Sequence, residues 1–93
     1  MISVGALELY ENEVLKRMYD KEIIGMNYFA VEKVAGIVKW DEIARDYRVK
    51  KSFSKVVRHL RNKGLVTDHG KGGTVASLTQ VGVLYVRGLL KRL

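Results

Sequence analysis

The hydrophobic pattern of this chain changes period at Gly64. Up to that point apolar residues recur at the three- and four-residue spacing of helices. Beyond it come two short β-rich runs, "LVTD" (65–68) and "TVASLT" (74–79), on either side of the Gly-rich "HGKGG" (69–73). These pieces predict a hairpin with a flexible tip. A helical period then resumes in "QVGVLYVRGLLKRL" (80–93), with Thr79 as its expected cap. A chain that inserts one hairpin between helices, within 93 residues, has room for a single core and a mainly α fold carrying a small β-hairpin.

The helical part divides into several elements. "GALELYENEVLKRMYDKE" predicts an amphipathic helix over 5–21, with Leu7, Val14, Leu15 and Met18 on one side. Gly25 breaks that pattern, and Asn27 is the expected cap of a second helix, "YFAVEKVAG" (28–36), closed by Gly36. "IVK" (37–39) is β-branched and reads as a brief strand. "WDEIARDY" (40–47) is a short helix whose Asp41 and Glu42 suit the positive end of its dipole. After a turn at Arg48 and Val49, "KKSFSKVVRHLRNKG" forms a helix over 50–63 that ends at Gly64.

Charge is segregated along the chain. Residues 1–32 hold six acids against three bases, whereas residues 48–63 hold Arg48, Lys50, Lys51, Lys55, Arg58, Arg61 and Lys63 with no acid. The net charge is +7. A coat for solubility alone would mix the signs, so this segregation builds a field suited to a polyanion. On a helical projection Phe53, Val56, Val57 and Leu60 cluster within about 100° of arc. Lys51, Ser54, Lys55, Arg58 and Asn62 cluster opposite. One face therefore belongs to the core. The other offers donors that complement phosphate oxygens and base edges, or else is simply a solvated polar face.

"WDEIARDYRV" followed by "KKSFSKVVRHLRNKGLV" resembles the helix-turn-helix of winged-helix transcription regulators, and "SLTQVG" (77–82) is similar to the step that ends the wing in MarR-like, PadR-like and small archaeal members. The resemblance covers roughly residues 28–93. The chain departs from the pattern in carrying Arg48 where the turn often has Gly, and Lys50-Lys51 where a capping Ser or Thr is usual, leaving Ser52 for that role.

The resemblance implies a winged helix-turn-helix with extra N- and C-terminal helices. Residues 1–93 would form one domain, with an N-terminal helix within 1–25, a winged-helix core over 27–79 and a C-terminal dimerisation helix over 80–93. Helix 51–63 would enter the major groove of double-stranded DNA, and the wing, 68–74, would meet the backbone or minor groove through Lys71 and His69. The expected contact set is Arg48, Lys50, Lys51, Ser52, Ser54, Lys55, Arg58, Arg61, Asn62, His69 and Lys71. The function implied is a dimeric regulator of transcription. The alternatives are an architectural protein of chromatin or partition type that coats DNA with little sequence preference, and a winged-helix module for protein assembly.

Other chemistries lack residues to carry them. There is no Cys, and the two histidines, His59 and His69, have no evident carboxylate or Ser partner, so neither a metal site nor a catalytic constellation is expected. No cofactor is expected, and the protein is not expected to be an enzyme. Glu8, Glu11 and Glu13 read as a solvated helix face, and Trp40 as a core or hinge aromatic rather than a stacking platform for bases. No aromatic ladder for stacking single-stranded bases is visible. "HGKGG" is not a phosphate-binding P-loop, because two strands flank it and no Lys follows its last Gly. With no apolar stretch near 18 residues and no cationic leader, the expected location is cytoplasmic and nucleoid-associated.

The last helix carries more apolar surface than one core needs. Val81, Val83, Leu84, Tyr85, Val86, Leu89, Leu90 and Leu93 cover about 200° of arc, against roughly 100° for a helix resting on one core. The excess is expected at a two-fold interface with a second copy of the chain. Leu7, Val14, Met18, Val83, Val86, Leu89, Leu90 and Leu93 are the candidate interface residues, unless both flanks pack within the monomer.

Overall fold

A computed structural model describes residues 7–67 and 74–91. In chain order the elements are α1 (Leu9–Asp20), β1 (Phe29–Ala30), α2 (Val31–Ile37), α3 (Trp40–Asp46), α4 (Phe53–Asn62), β2 (Val75–Ala76) and α5 (Gln80–Lys91). The fold is mainly helical with one small antiparallel β pairing. The centre of the expected hairpin, residues 68–73, lies outside the described residues.

Residues 75–78 form the strip around which the helices assemble. On one side β2 pairs antiparallel with β1, Phe29 opposite Ala76 and Ala30 opposite Val75. Leu78 continues the pairing, bridging Ile24 in parallel sense and Val66 in antiparallel sense. Thr67 N–H donates to the Ser77 carbonyl at 2.8 Å, which closes the described base of the hairpin. Ser77 is fully buried. Its hydroxyl lies 2.7 Å from both the Gly25 carbonyl and the Thr67 hydroxyl, so burial leaves no polar atom of that side chain unpaired.

Two expectations fail here for one reason. "IVK" is not a strand: Val38 N–H donates to the Val34 carbonyl at 2.9 Å, so the segment is the last turn of α2, and Lys39 adopts a left-handed conformation that starts α3. The strand is instead Phe29–Ala30, within the stretch read as helical, and Ala30 rather than Asn27 stands at the N-cap of α2. Asn27 Nδ2 donates to the Glu22 carbonyl at 2.6 Å. Packing overrides local propensity in both places, since Val34 and Val38 are core residues and Phe29–Ala30 has β2 as a partner.

The core joins all five described helices through Val14, Leu15, Met18, Ile23, Val34, Val38, Ile43, Val56, Leu60, Leu65, Leu78 and Val86. Arg17 adds a polar clamp. Its guanidinium donates to Glu13 at 2.8 Å, to the Val38 carbonyl at 2.9 Å and to Glu42 at 2.9 Å, tying α1 to the end of α2 and the start of α3. The Glu13 hydrogen bond, ahead of the Glu42 contact, holds the guanidinium above its already high pKa, so Arg17 stays protonated at every accessible pH.

The expected interface residues divide on burial. Val14, Met18 and Val86 have no exposed surface within the single chain, so they are core residues and cannot meet a second copy. Leu7, Val83 and Leu89 are half-buried, and Leu90 is 41% exposed. Leu93 lies outside the described residues. Leu84, at 46% exposure, joins Leu90 as an apolar side chain that α5 leaves uncovered. Among the described residues no helix is long and apolar enough to cross a membrane.

The seating of α5 depends on Gly82. Thr79 caps the helix as expected, its hydroxyl accepting from Gly82 N–H at 2.9 Å and donating to the Gly64 carbonyl at 2.7 Å. Gly82 lies directly on the chain at Leu65, where a Cβ would stand 2.2 Å from the Leu65 carbonyl oxygen. Backbone cannot yield as a flexible side chain would. Gly82→Ala is therefore expected to destabilise the fold by about 3 kcal/mol, at the upper end of overpacking costs. In a chain of this size that lowers Tm by more than about 10 °C. A thermal melt within a few degrees of the wild type would show that α5 is not held at this contact.

Candidate nucleic-acid interface

The basic helix starts later than its sequence pattern suggests. Ser52 is the N-cap of α4, and its hydroxyl accepts from Lys55 N–H at 3.3 Å. Lys50 and Lys51 thus precede the helix instead of forming its first turn. At the other end Gly64 takes the left-handed conformation (φ 77°) and Leu65 N–H returns to the Leu60 carbonyl at 3.0 Å, which ends α4 as expected.

Burial splits α4 along the expected line. Phe53, Val56, Val57 and Leu60 are buried, whereas Ser54, Lys55, Arg58, His59 and Asn62 are exposed. The N-terminal end of the helix is set by aromatic packing. The Trp40 ring centroid lies 5.4 Å from Phe53 and 6.2 Å from Tyr10, so the starts of α3 and α4 converge on α1. Trp40, only 8% exposed, is a core aromatic as expected. Between α3 and α4, Val49 N–H donates to the Ala44 carbonyl at 2.8 Å and Arg48 holds a left-handed conformation (φ 56°).

The expected contact residues do not all share one surface. Ser54, Lys55, Arg58 and Asn62 stand together on the outer face of α4, and exposed Arg48, Lys50 and Ser52 lie at its approach. Lys51 is exposed but reaches back to α1, its Nζ donating to the Tyr10 hydroxyl at 3.3 Å. Arg61 is half-buried and turns toward β2, where Nη2 donates to the Val75 carbonyl at 3.4 Å. It supports the base of the hairpin instead of the outer face. His69 and Lys71 lie outside the described residues.

Two readings of the acids and histidines are corrected by the geometry. Glu11 is not on a solvated face: it is 1% exposed, and its Oε2 pairs with Nδ1 of His59 across the α1–α4 seam. Oε1 accepts from the Glu8 backbone N–H at 3.0 Å. His59 therefore has the carboxylate partner that the sequence does not display. The available signal was positional, since Glu11 falls in the same stripe as Leu7, Val14, Leu15 and Met18. A carboxylate there must be buried, and a buried carboxylate needs a partner. Glu13 is engaged as well, with Lys16 and Arg17.

The resulting surface is a helix face of cations, a hydroxyl and an amide without an acid. Among the described residues no group of His, Asp and Glu is arranged to hold a metal ion. No known protein family, curated protein or solved structure matches the chain.

Arg48 allows the turn and the face to be separated. A non-Gly residue in the left-handed region costs about 1 kcal/mol, while Gly costs roughly 0.5–1 kcal/mol through the unfolded chain. Arg48→Gly is expected to leave stability unchanged or raise it by up to about 1 kcal/mol, read from the urea midpoint. A clear loss of stability would mean that the Arg48 side chain itself holds the turn.

Proposed function

We propose that this chain is a double-stranded DNA-binding protein of winged helix-turn-helix type, acting as a dimeric regulator of transcription, with the outer face of α4 in the major groove. One observation carries the reading: α4 is held through one buried apolar face, while the opposite face presents Ser54, Lys55, Arg58 and Asn62 with no acid among them. The order of elements supports it. In α3–turn–α4 a short helix precedes a basic one, and the chain then passes through the base of a hairpin into a terminal helix. Lys55 and Arg58, mid-helix and opposite the buried stripe, point at the groove floor. Arg48, Lys50 and Ser52 lie where a helix N-terminus meets the phosphate backbone.

The test is titration of a selected site and of random duplex at two salt concentrations. With four to six phosphate contacts per subunit, log affinity falls against log salt with a slope of roughly −4 to −5 per subunit. Arg58→Ala is expected to fold normally, since exposed substitutions change stability by less than about 0.5 kcal/mol. It should cost about 1–3 kcal/mol of discrimination between the two duplexes if Arg58 bonds a guanine edge. Equal loss on both would place Arg58 on phosphate and favour the architectural reading. No loss on either would remove α4 from the groove.

Dimerisation belongs to the same reading, on narrower grounds than the full apolar arc of α5. Val83 and Leu90, with Tyr19 and Ile24, are the uncharged lining of an open groove between α1 and α5 whose other walls are charged side chains such as Lys16, Asp20 and Arg87, and Leu84 is exposed on the same helix. A second copy would meet α5 through these side chains and not through the buried Val14, Met18 and Val86. Leu90→Glu leaves the monomer core intact and is expected to convert a dimer to a folded monomer by sedimentation. A wild-type chain that sediments as a monomer at micromolar concentration would refute the dimer.

A further inference from the structure

His59 lies on the flank of α4 between the exposed cations and α1. One ring nitrogen, Nδ1, is committed to Glu11. The other, Nε2, makes no hydrogen bond among the described residues, and the His59 side chain is 49% exposed whereas that of Glu11 is 1% exposed. Glu11 cannot easily turn away, because its second oxygen is occupied by the Glu8 N–H at 3.0 Å. A carboxylate that holds one nitrogen of an imidazole fixes the direction of the ring and presents the other nitrogen outward. Here the ring stands one helical turn after Lys55 and one before Lys63, and Lys51 meets Tyr10, the neighbour of Glu11, along the same seam. The acid in this set is internal, so what remains on the outside is a donor surface.

We propose that His59 is a phosphate ligand of the DNA backbone, its Nε2–H donating to a phosphodiester oxygen, and that Glu11 is the positioning residue that aims the ring. The proposal rests on the DNA-binding reading and adds to it a residue with a distinct chemistry. A neutral ring that gives its Nδ1 hydrogen to Glu11 has only a lone pair on Nε2, which repels phosphate. Donation to phosphate therefore requires the second proton. Acid is therefore expected to favour binding. The charged groups around the ring are Glu11 on α1, Lys55 and Lys63 on α4, and Lys51 before it.

The experiment is a fluorescence-anisotropy titration of the full chain against random-sequence duplex, at constant ionic strength, at pH ~6 and pH ~8, the interval in which histidine changes charge. Wild type is expected to bind more tightly at the lower pH. His59→Gln is expected to bind about five- to tenfold more weakly at pH ~6, with the pH difference largely removed and the salt slope shallower by about 0.9 per subunit. The double variant Glu11→Gln with His59→Gln keeps two neutral amides in hydrogen-bonding reach and leaves no unpaired buried charge, so it controls for folding and is expected to show the same defect. His59→Arg restores a permanent cation and is expected to bind well at both pH values. If the His59→Gln and double variants match wild type in affinity, salt slope and pH response while Lys55→Ala still weakens binding, the phosphate role of His59 is overturned and the DNA reading stands. If wild type and His59→Arg alike fail to bind duplex at low salt, both are overturned.

Discussion

The burial of one face of α4 is the constraint on which the rest of the structure depends. Phe53, Val56, Val57 and Leu60 are each almost wholly removed from water, and a fully buried side chain of this kind contributes about 1.5–3 kcal/mol. The four set the rotation of the helix about its own axis. Once that rotation is set, Lys55, Arg58 and Asn62 have nowhere to point but outward. A basic helix held only by charge would have no preferred face, since exposed ion pairs contribute little. Here apolar contact supplies the orientation and charge supplies the use.

The remaining elements hold that seat in place. Trp40 and Tyr10 close over the Phe53 end, and Arg17 joins α1 to the α2–α3 junction through three hydrogen bonds. At the other end Gly64 stops α4 and the chain turns at Leu65, where Thr79 and Gly82 dock α5 by hydrogen bonding and close backbone approach. Residues 75–78 are the common wall, pairing with β1, with Ile24 and with Val66. Polar seams are added where α1 crosses α4, through Lys51 with Tyr10 and His59 with Glu11. Such seams stabilise little by themselves but penalise any other helix orientation, because a displaced α4 would deprive the Glu11 carboxylate of its His59 partner.

Features governed by local chemistry were legible in the chain. The apolar stripe and cationic face of α4, the stop at Gly64, the cap at Thr79 and the place of Trp40 in the core each depend on residue type and short spacing. Ser52 as the cap of α4 was legible as the remaining candidate once Lys50-Lys51 filled the usual position. Two-residue strands were not, because Phe29–Ala30 is extended only through its pairing with Val75–Ala76, Phe29 opposite Ala76 and Ala30 opposite Val75. The apolar arc of α5 announced excess hydrophobic surface but not its division. Val86 lies inside and Leu84 outside because the contact of Gly82 with Leu65 sets the roll of that helix.

What the sequence by itself determined is a mainly helical single-core chain with a period break at Gly64 and positive charge gathered on one helix. Periodicity, caps and charge act over one or two turns, so they are written in adjacent residues. What only the tertiary structure decided is which polar side chains meet. His59 and Glu11 are 48 residues apart, Lys51 and Tyr10 are 41 apart, and Arg61 reaches Val75 over 14. These pairings removed Arg61 from the outer face and gave His59 a carboxylate. Nothing local encodes them, because each depends on segments distant in sequence being brought together by the burial of the apolar faces of the helices.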